Sequence, residues 1–265
     1  MKYLLQGLIL MSLAGCRPSN WEFHREIKLS NIAPLGIVAT GQGLWVSDVE
    51  GNRVILVGLD GEIQKTFNGF KRPMHIARHQ DIVYVPEYIS DTLKIIEGGA
   101  VVFMPWMEKL DGPAAIAVAD EGMAVADFYN NRVLFKKGEL LTIIGKEGHQ
   151  AGELYYPTDV EFYDHRIYVA DAYNNRVQVF DEGGKGIQVI GEADGIHVAT
   201  GIALSGNSIF VTDFEGNRIL IYDLEGTLLQ ILSENLKNPT DIAVYQNRLY
   251  IANYGGNSIL EFVRE

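Results

Sequence analysis

Apolar and polar residues alternate along most of the chain in runs of four to eight, and Gly, Asn and Pro punctuate the runs. Runs of that length with a period of two read as β-strands, each with one face toward a core. No long amphipathic helix is expected beyond residue 20. The strand pattern itself repeats. ADFYNNRVLF (126–135) and ADAYNNRVQV (170–179) begin 44 residues apart, and sliding the motif along the chain finds six matches. These are WVSDVEGNRVILV (45–57), VYVPEYISDTLKI (83–95), AVADFYNNRVLF (124–135), YVADAYNNRVQVF (168–180), FVTDFEGNRILIY (210–222) and YIANYGGNSILEF (250–262). The acidic position recurs as Asp48, Glu87, Asp127, Asp171, Asp213 and Asn253, with spacings of 39, 40, 44, 42 and 40.

A short apolar stretch precedes each copy. It starts at Pro34, Pro73, Pro113, Pro157 and Pro239, and at Ala199 in the fifth copy. Every copy but the last is followed by one more alternating strand, as in GEIQKTF, GELLTII or GTLLQIL. Four strands in roughly 40 residues make a propeller blade. The sixth copy ends after three strands, and WEFHREIKL (21–29) stands alone ahead of the first copy with the alternation of the missing outer strand. The expected fold is therefore all-β: a six-bladed β-propeller of four-stranded blades over 21–265, its ring closed by an N-terminal strand completing the last blade. Closure also hides edges that would otherwise pair with other chains.

The tandem P-x-x-I-A followed by V-A-D-x-x-N-N-R-V resembles NHL repeats, and the resemblance covers about residues 30–263. The second copy departs from it, with Pro86-Glu87 and Asp91-Thr92. The resemblance implies a platform for proteins, RNA or ligands. It also admits enzymes, since metal-dependent lyases and lactonases use related six-bladed scaffolds, so fold alone does not choose the function.

The first residues add a location. MKYLLQGLILMSLAGC carries one early lysine, Lys2, an apolar run too short to span a bilayer, then small residues, as an export signal does. Leu13-Ala14-Gly15-Cys16 resembles the lipobox of bacterial lipoproteins, and Cys16 is the one cysteine of the chain. That resemblance implies a signal peptide over 1–15, lipidation of Cys16 and a short tether over 16–20, on an exported, membrane-anchored protein. Arg17 stands where an aspartate would favour inner-membrane retention, which points to the outer membrane or its periplasmic face in a Gram-negative cell. With Cys16 acylated no disulfide is available, so stability must come from the core, which 47% hydrophobic residues can supply. The net charge of −12 argues against a nucleic-acid partner and against adhesion to anionic lipid by charge. The expected partners are an envelope protein, peptide or glycan, and the domain is expected to be a monomer.

Much of the repeated motif reads as scaffold. Asn130-Asn131 and Asn174-Asn175 occupy the place of Gly51-Asn52, Gly216-Asn217 and Gly256-Asn257, residues that tolerate the positive φ of a tight hairpin. Asp48 goes with Arg53, Asp127 with Arg132, Asp171 with Arg176 and Asp213 with Arg218, whereas Glu87 goes with Thr92 and Asn253 with Ser258. Joint loss is what an ion pair within each blade predicts, because an orphaned partner in a partly buried place is costly.

Candidate chemistry lies elsewhere. The residue two beyond each proline position marks the entry to an innermost strand: Gly36, His75, Ala115, Asp159, Gly201 and Asp241. Small residues suit the crowded axis, but His75, Asp159 and Asp241 break that rule in blades 2, 4 and 6, so they would converge from alternate blades. One imidazole and two carboxylates meeting at a channel mouth form a metal constellation. The set favours calcium over zinc, with Glu161 as an extra ligand. The competing reading is that each side chain bonds backbone at its own strand entry. Lyases on this scaffold use three histidines at such entries, and only His75 would correspond. Tyr88, Phe128, Tyr129, Tyr173, Phe214 and Tyr254 follow the acidic position by one or two residues and should ring the hairpin face as a binding surface. His149 and His197 lie in interblade loops. No G-x-S-x-G, H-E-x-x-H, glycine-rich phosphate loop or C-x-x-C-H is present.

Overall fold

The computed structural model describes residues 20–264. The expected signal peptide and Cys16 lie outside the described residues. Within them the chain forms six four-stranded antiparallel sheets. Blades 1 to 5 take their strands from 34–68, 77–104, 113–144, 157–190 and 199–232. Blade 6 combines Pro239–Tyr245, Arg248–Asn253 and Ser258–Arg264 with the N-terminal strand Trp21–Lys28 as its outer edge. The ring closes as expected, and nothing but β-strands, turns and two single-turn 3₁₀ segments builds it.

The strands alternate so that each blade offers one apolar face to the blade before it and one to the blade after. Six core clusters result, one for each junction. At the closing junctions, Trp21 packs with Phe210, Leu249 and Phe262 toward blade 5, while Ile27 packs with Ile37, Val46 and Ile259 toward blade 1. A bulge at His24 makes both contacts possible. The pairing with the last strand shifts register between Phe23 and Arg25, which turns the second half of the strand over to the opposite face. Two further devices hold this strand. Trp21 exchanges backbone bonds with the Gln230 side chain at 3.0 and 2.8 Å. Glu261, fully buried, accepts Arg25 Nε at 2.5 Å and also bonds Arg248.

The Asp–Arg pairs form in all four blades that carry them, with Nε to Oδ2 distances of 2.7, 2.7, 2.9 and 2.8 Å. Each of these Asp residues also accepts a backbone N–H from the loop entering its blade, as Asp127 does from Asp111 at 2.7 Å. The arginine in turn reaches a carbonyl of that loop, as Arg132 does at Lys109. Blade 2 keeps the charge but moves it: Lys94 lies 3.1 Å from Glu87 and donates to the Gly69 carbonyl, while Thr92 donates to the same carboxylate. Blade 6 is neutral, with Asn253 bonded to Ser258.

The turn asparagines do more than turn. Asn52, Asn131, Asn175, Asn217 and Asn257, with Asp91 in blade 2, all sit at φ between 49° and 56°. The side-chain oxygens of the first four and of Asp91 accept the N–H of a residue entering the next blade, as Asn131 does from Tyr156 at 2.8 Å. Glycine would satisfy the backbone but not this latch.

Candidate functional site

The innermost strands meet at their entries. The His75 N–H donates to the Ala114 carbonyl of blade 3, Thr158 to Ala199 of blade 5, Thr200 to Pro239 of blade 6, and Thr240 to Leu35 of blade 1. Gly36 and Gly201 are required by this approach: a Cβ would stand 2.7 Å from the Met74 carbonyl in one case and 2.4 Å from the Thr240 carbonyl in the other. Large polar residues at three entries thus face small ones at the other three.

His75, Asp159 and Asp241 converge on the axis, each 5% exposed, with ligand atoms within 4.8 Å of one another. His75 Nδ1 lies 3.5 Å from Asp241 Oδ2 and 4.0 Å from Asp159 Oδ2, and it has no hydrogen-bond partner. The carboxylates are also held from the neighbouring blades. Ile202 N–H donates to Asp159 at 2.7 Å and Ile37 N–H to Asp241 at 2.8 Å, while each Asp also accepts the N–H of its own successor. Backbone bonding and convergence therefore coexist, because a carboxylate oxygen has a second lone pair to offer. Burial alone would push the His75 imidazole down, but the charges of Asp159 and Asp241 outweigh it and its pKa is raised. Burial drives Asp159 up to about 7, with Asp241 adding to the rise and His75 opposing it.

A cavity of about 220 Å³ runs along the axis from this cluster. Its walls are later residues of the inner strands, among them Val38, Ala77, Ala117, Glu161 and Ala243. Exposure rises along those strands, from buried Gly36 and His75 to half-buried Thr40 and His79. The cavity therefore opens at the face opposite the hairpins, and the cluster lies at its closed end rather than at the expected channel mouth: direct blade-to-blade contacts pinch the ring at the entries. Glu161 lies one pleat farther along the cavity and is outside the cluster. Burial, then the charges of Asp159 and Asp241, raise its pKa well above the usual carboxylate value.

On the hairpin face, four of the six predicted aromatics join a continuous patch. Tyr88 touches Phe128 and Tyr129, and Tyr156 links both of these to Tyr173 through ring contacts of 4.8 to 6.1 Å. Phe214 and Tyr254 form a separate pair, 6.5 Å apart, and the Tyr254 hydroxyl donates to Glu50. His149 packs on Tyr155 at the patch edge, whereas His197 is exposed and its N–H serves Asp213. Sequence reasoning missed Tyr155 and Tyr156, which precede Pro157 rather than follow an acidic residue. The available signal was that this blade alone carries two aromatics just before its entry, where its siblings have Ile32-Ala33, Lys71-Arg72, Asp111-Gly112, His197-Val198 and Lys237-Asn238. Tyr156 has φ 54°, in the left-handed region that Arg72, Gly112, Val198 and Asn238 occupy at the same place in their blades, so the conformation belongs to the blade entry.

A family model described as a six-bladed beta-propeller, DUF5128, matches residues 153–260. No curated protein sequence matches the chain. Among solved structures, a streptogramin B lyase superposes with TM-score 0.69 at 14% identity, covering 91% of this chain and 97% of its own. A catalytically inactive virginiamycin B lyase from Staphylococcus aureus, solved with quinupristin, gives 0.66 at 16%, covering 92% and 88%. A protein of unknown function from Bacteroides thetaiotaomicron gives 0.71 at 17%, covering 93% and 72%. The chain is a six-bladed β-propeller. These identities carry the fold of the propeller and no activity.

Proposed function

We propose that this propeller is a lipid-anchored binding module of the cell envelope, held at Cys16, whose hairpin face engages a polypeptide partner. The observation that carries the reading is the continuous patch of rings from Tyr88 to Tyr173, with Tyr156 at its centre. Tyrosine offers large contact area with little rotamer entropy to lose. Exposed Ile89 and Met107 lie in loops of the same face and favour a polypeptide over a sugar.

The test places a photo-crosslinking residue at Tyr129 or Tyr173, and at Gln80 on the opposite face as control. A discrete polypeptide adduct from the first two positions, lost in Tyr156→Gly while that variant melts no lower than wild type, supports the proposal. Adducts of equal yield from Gln80, none from either hairpin position, or capture of glycans alone would overturn it.

A second reading, a metal-dependent lyase or lactonase acting at the axial cavity, draws on the His75, Asp159 and Asp241 cluster. It predicts lactone turnover that stops in the Asp159→Asn/Asp241→Asn double variant while the hairpin-face adduct persists.

A further inference from the structure

We infer that His75, Asp159 and Asp241 are the protein ligands of a hard divalent cation, calcium or manganese, bound on the propeller axis at the closed end of the cavity. This stands apart from the hairpin-face reading, since the cavity opens on the other side of the ring.

Three features lead there. The first is spacing. Three donors about 2.0–2.5 Å from one cation lie roughly 3–4.3 Å apart. Two edges of this triangle are 3.5 and 4.0 Å, and all three donor atoms lie within 4.8 Å of one another. The second is the orphaned nitrogen: Nδ1 is buried, aimed at the carboxylates and without a hydrogen-bond partner. Buried polar atoms left so are rare and call for a partner. The third is preorganisation. Ile37 and Ile202 N–H groups from the adjacent blades fix the two carboxylates, the outer-shell support that orients metal ligands. Two carboxylates against one imidazole make a hard, oxygen-rich set, which suits calcium and manganese better than zinc. The cavity beyond the cluster leaves room for water to complete the coordination.

The experiment uses the full chain after chelator treatment and dialysis, titrated separately with Ca²⁺, Mn²⁺ and Zn²⁺. Metal analysis, calorimetry and melting temperature are the readouts. The expected result is one equivalent of Ca²⁺ or Mn²⁺ and a rise in Tm of roughly 5–10 °C at a hundredfold excess over Kd. Both should be lost in Asp159→Asn/Asp241→Asn, in which each amide oxygen keeps one of the two backbone N–H bonds that the carboxylate accepted. Because that variant can fail to fold, pulsed EPR of the Mn²⁺ form provides a second line: nitrogen modulation from a bound imidazole, absent in His75→Gln. Binding of none of the three ions, binding of zinc alone, a shift that survives the double Asn variant, or Mn²⁺ without nitrogen modulation would each overturn the inference.

Discussion

Glu261 offers the sharpest test of how the ring is closed. It is fully buried, while Arg25 and Arg248 beside it have side chains 41% and 43% exposed. Changing Glu261 to Gln keeps the shape but turns charge-assisted bonds to both arginines into neutral ones, a loss of about 1–2 kcal/mol. Changing it to Ala removes the acceptor and leaves a void. Losing one partner of a buried pair costs about 3–5 kcal/mol, but these arginines can turn to water, so about 2–3 kcal/mol is expected. For a domain this size each kcal/mol lowers Tm by about 2–4 °C. Urea unfolding gives the energy, and hydrogen exchange gives its location. Protection should fall first over Trp21–Lys28 and Ser258–Arg264, with blades 2 to 4 unchanged. Burial opposes ionisation of Glu261, but the two arginines outweigh it and its pKa is lowered from 4.5. Its contribution is therefore full above about pH 5 and is lost as pH falls through the folded-state value. An unchanged urea midpoint in Glu261→Ala, or protection lost evenly around the ring, would refute the role of the clamp.

Three other outcomes follow from the same contacts. Asn131→Gly should cost about 1 kcal/mol in urea unfolding, because the turn survives but the latch to Tyr156 does not, and Asn131→Ala should cost about 1 kcal/mol more for the left-handed turn. Gly201→Ala should lower stability by about 1–3 kcal/mol in the same assay, since its Cβ would meet backbone that cannot move aside. Lys94→Met should cost about 1–2 kcal/mol, and adding Thr92→Arg should restore most of it by rebuilding the strap of the sibling blades, which a double-mutant cycle would measure.

The repeat made the architecture legible because each blade solves the same packing problem with the same letters. Period-two alternation, a proline at five of the six entries and an acidic residue, replaced by Asn253 in the last copy, every 39 to 44 positions were enough for blade count, strand count and ring closure. The Asp–Arg pairs were legible because each is local to one hairpin. Convergence of His75, Asp159 and Asp241 was legible too, since equal positions in equal blades must face one axis. Other features depend on residues far apart in the chain. In blade 2 the charge reappears at Lys94, one pleat on from Thr92 on the same strand face, where a fixed-offset reading does not look.

Three matters were left to the tertiary structure. The direction in which the cavity opens depends on how tightly six strand entries pack against one another, a property of the assembled ring. The aromatic patch gathers rings from two kinds of loop, and Tyr156 enters it only because Asn131, 25 residues away, holds its backbone. The closing strand reads as simple alternation with Trp21, Phe23, Ile27 and Leu29 all on odd positions, which predicts one buried face. The bulge at His24 sends the first two toward blade 5 and the last two toward blade 1, because a strand that closes a ring must fill the junctions on both of its sides.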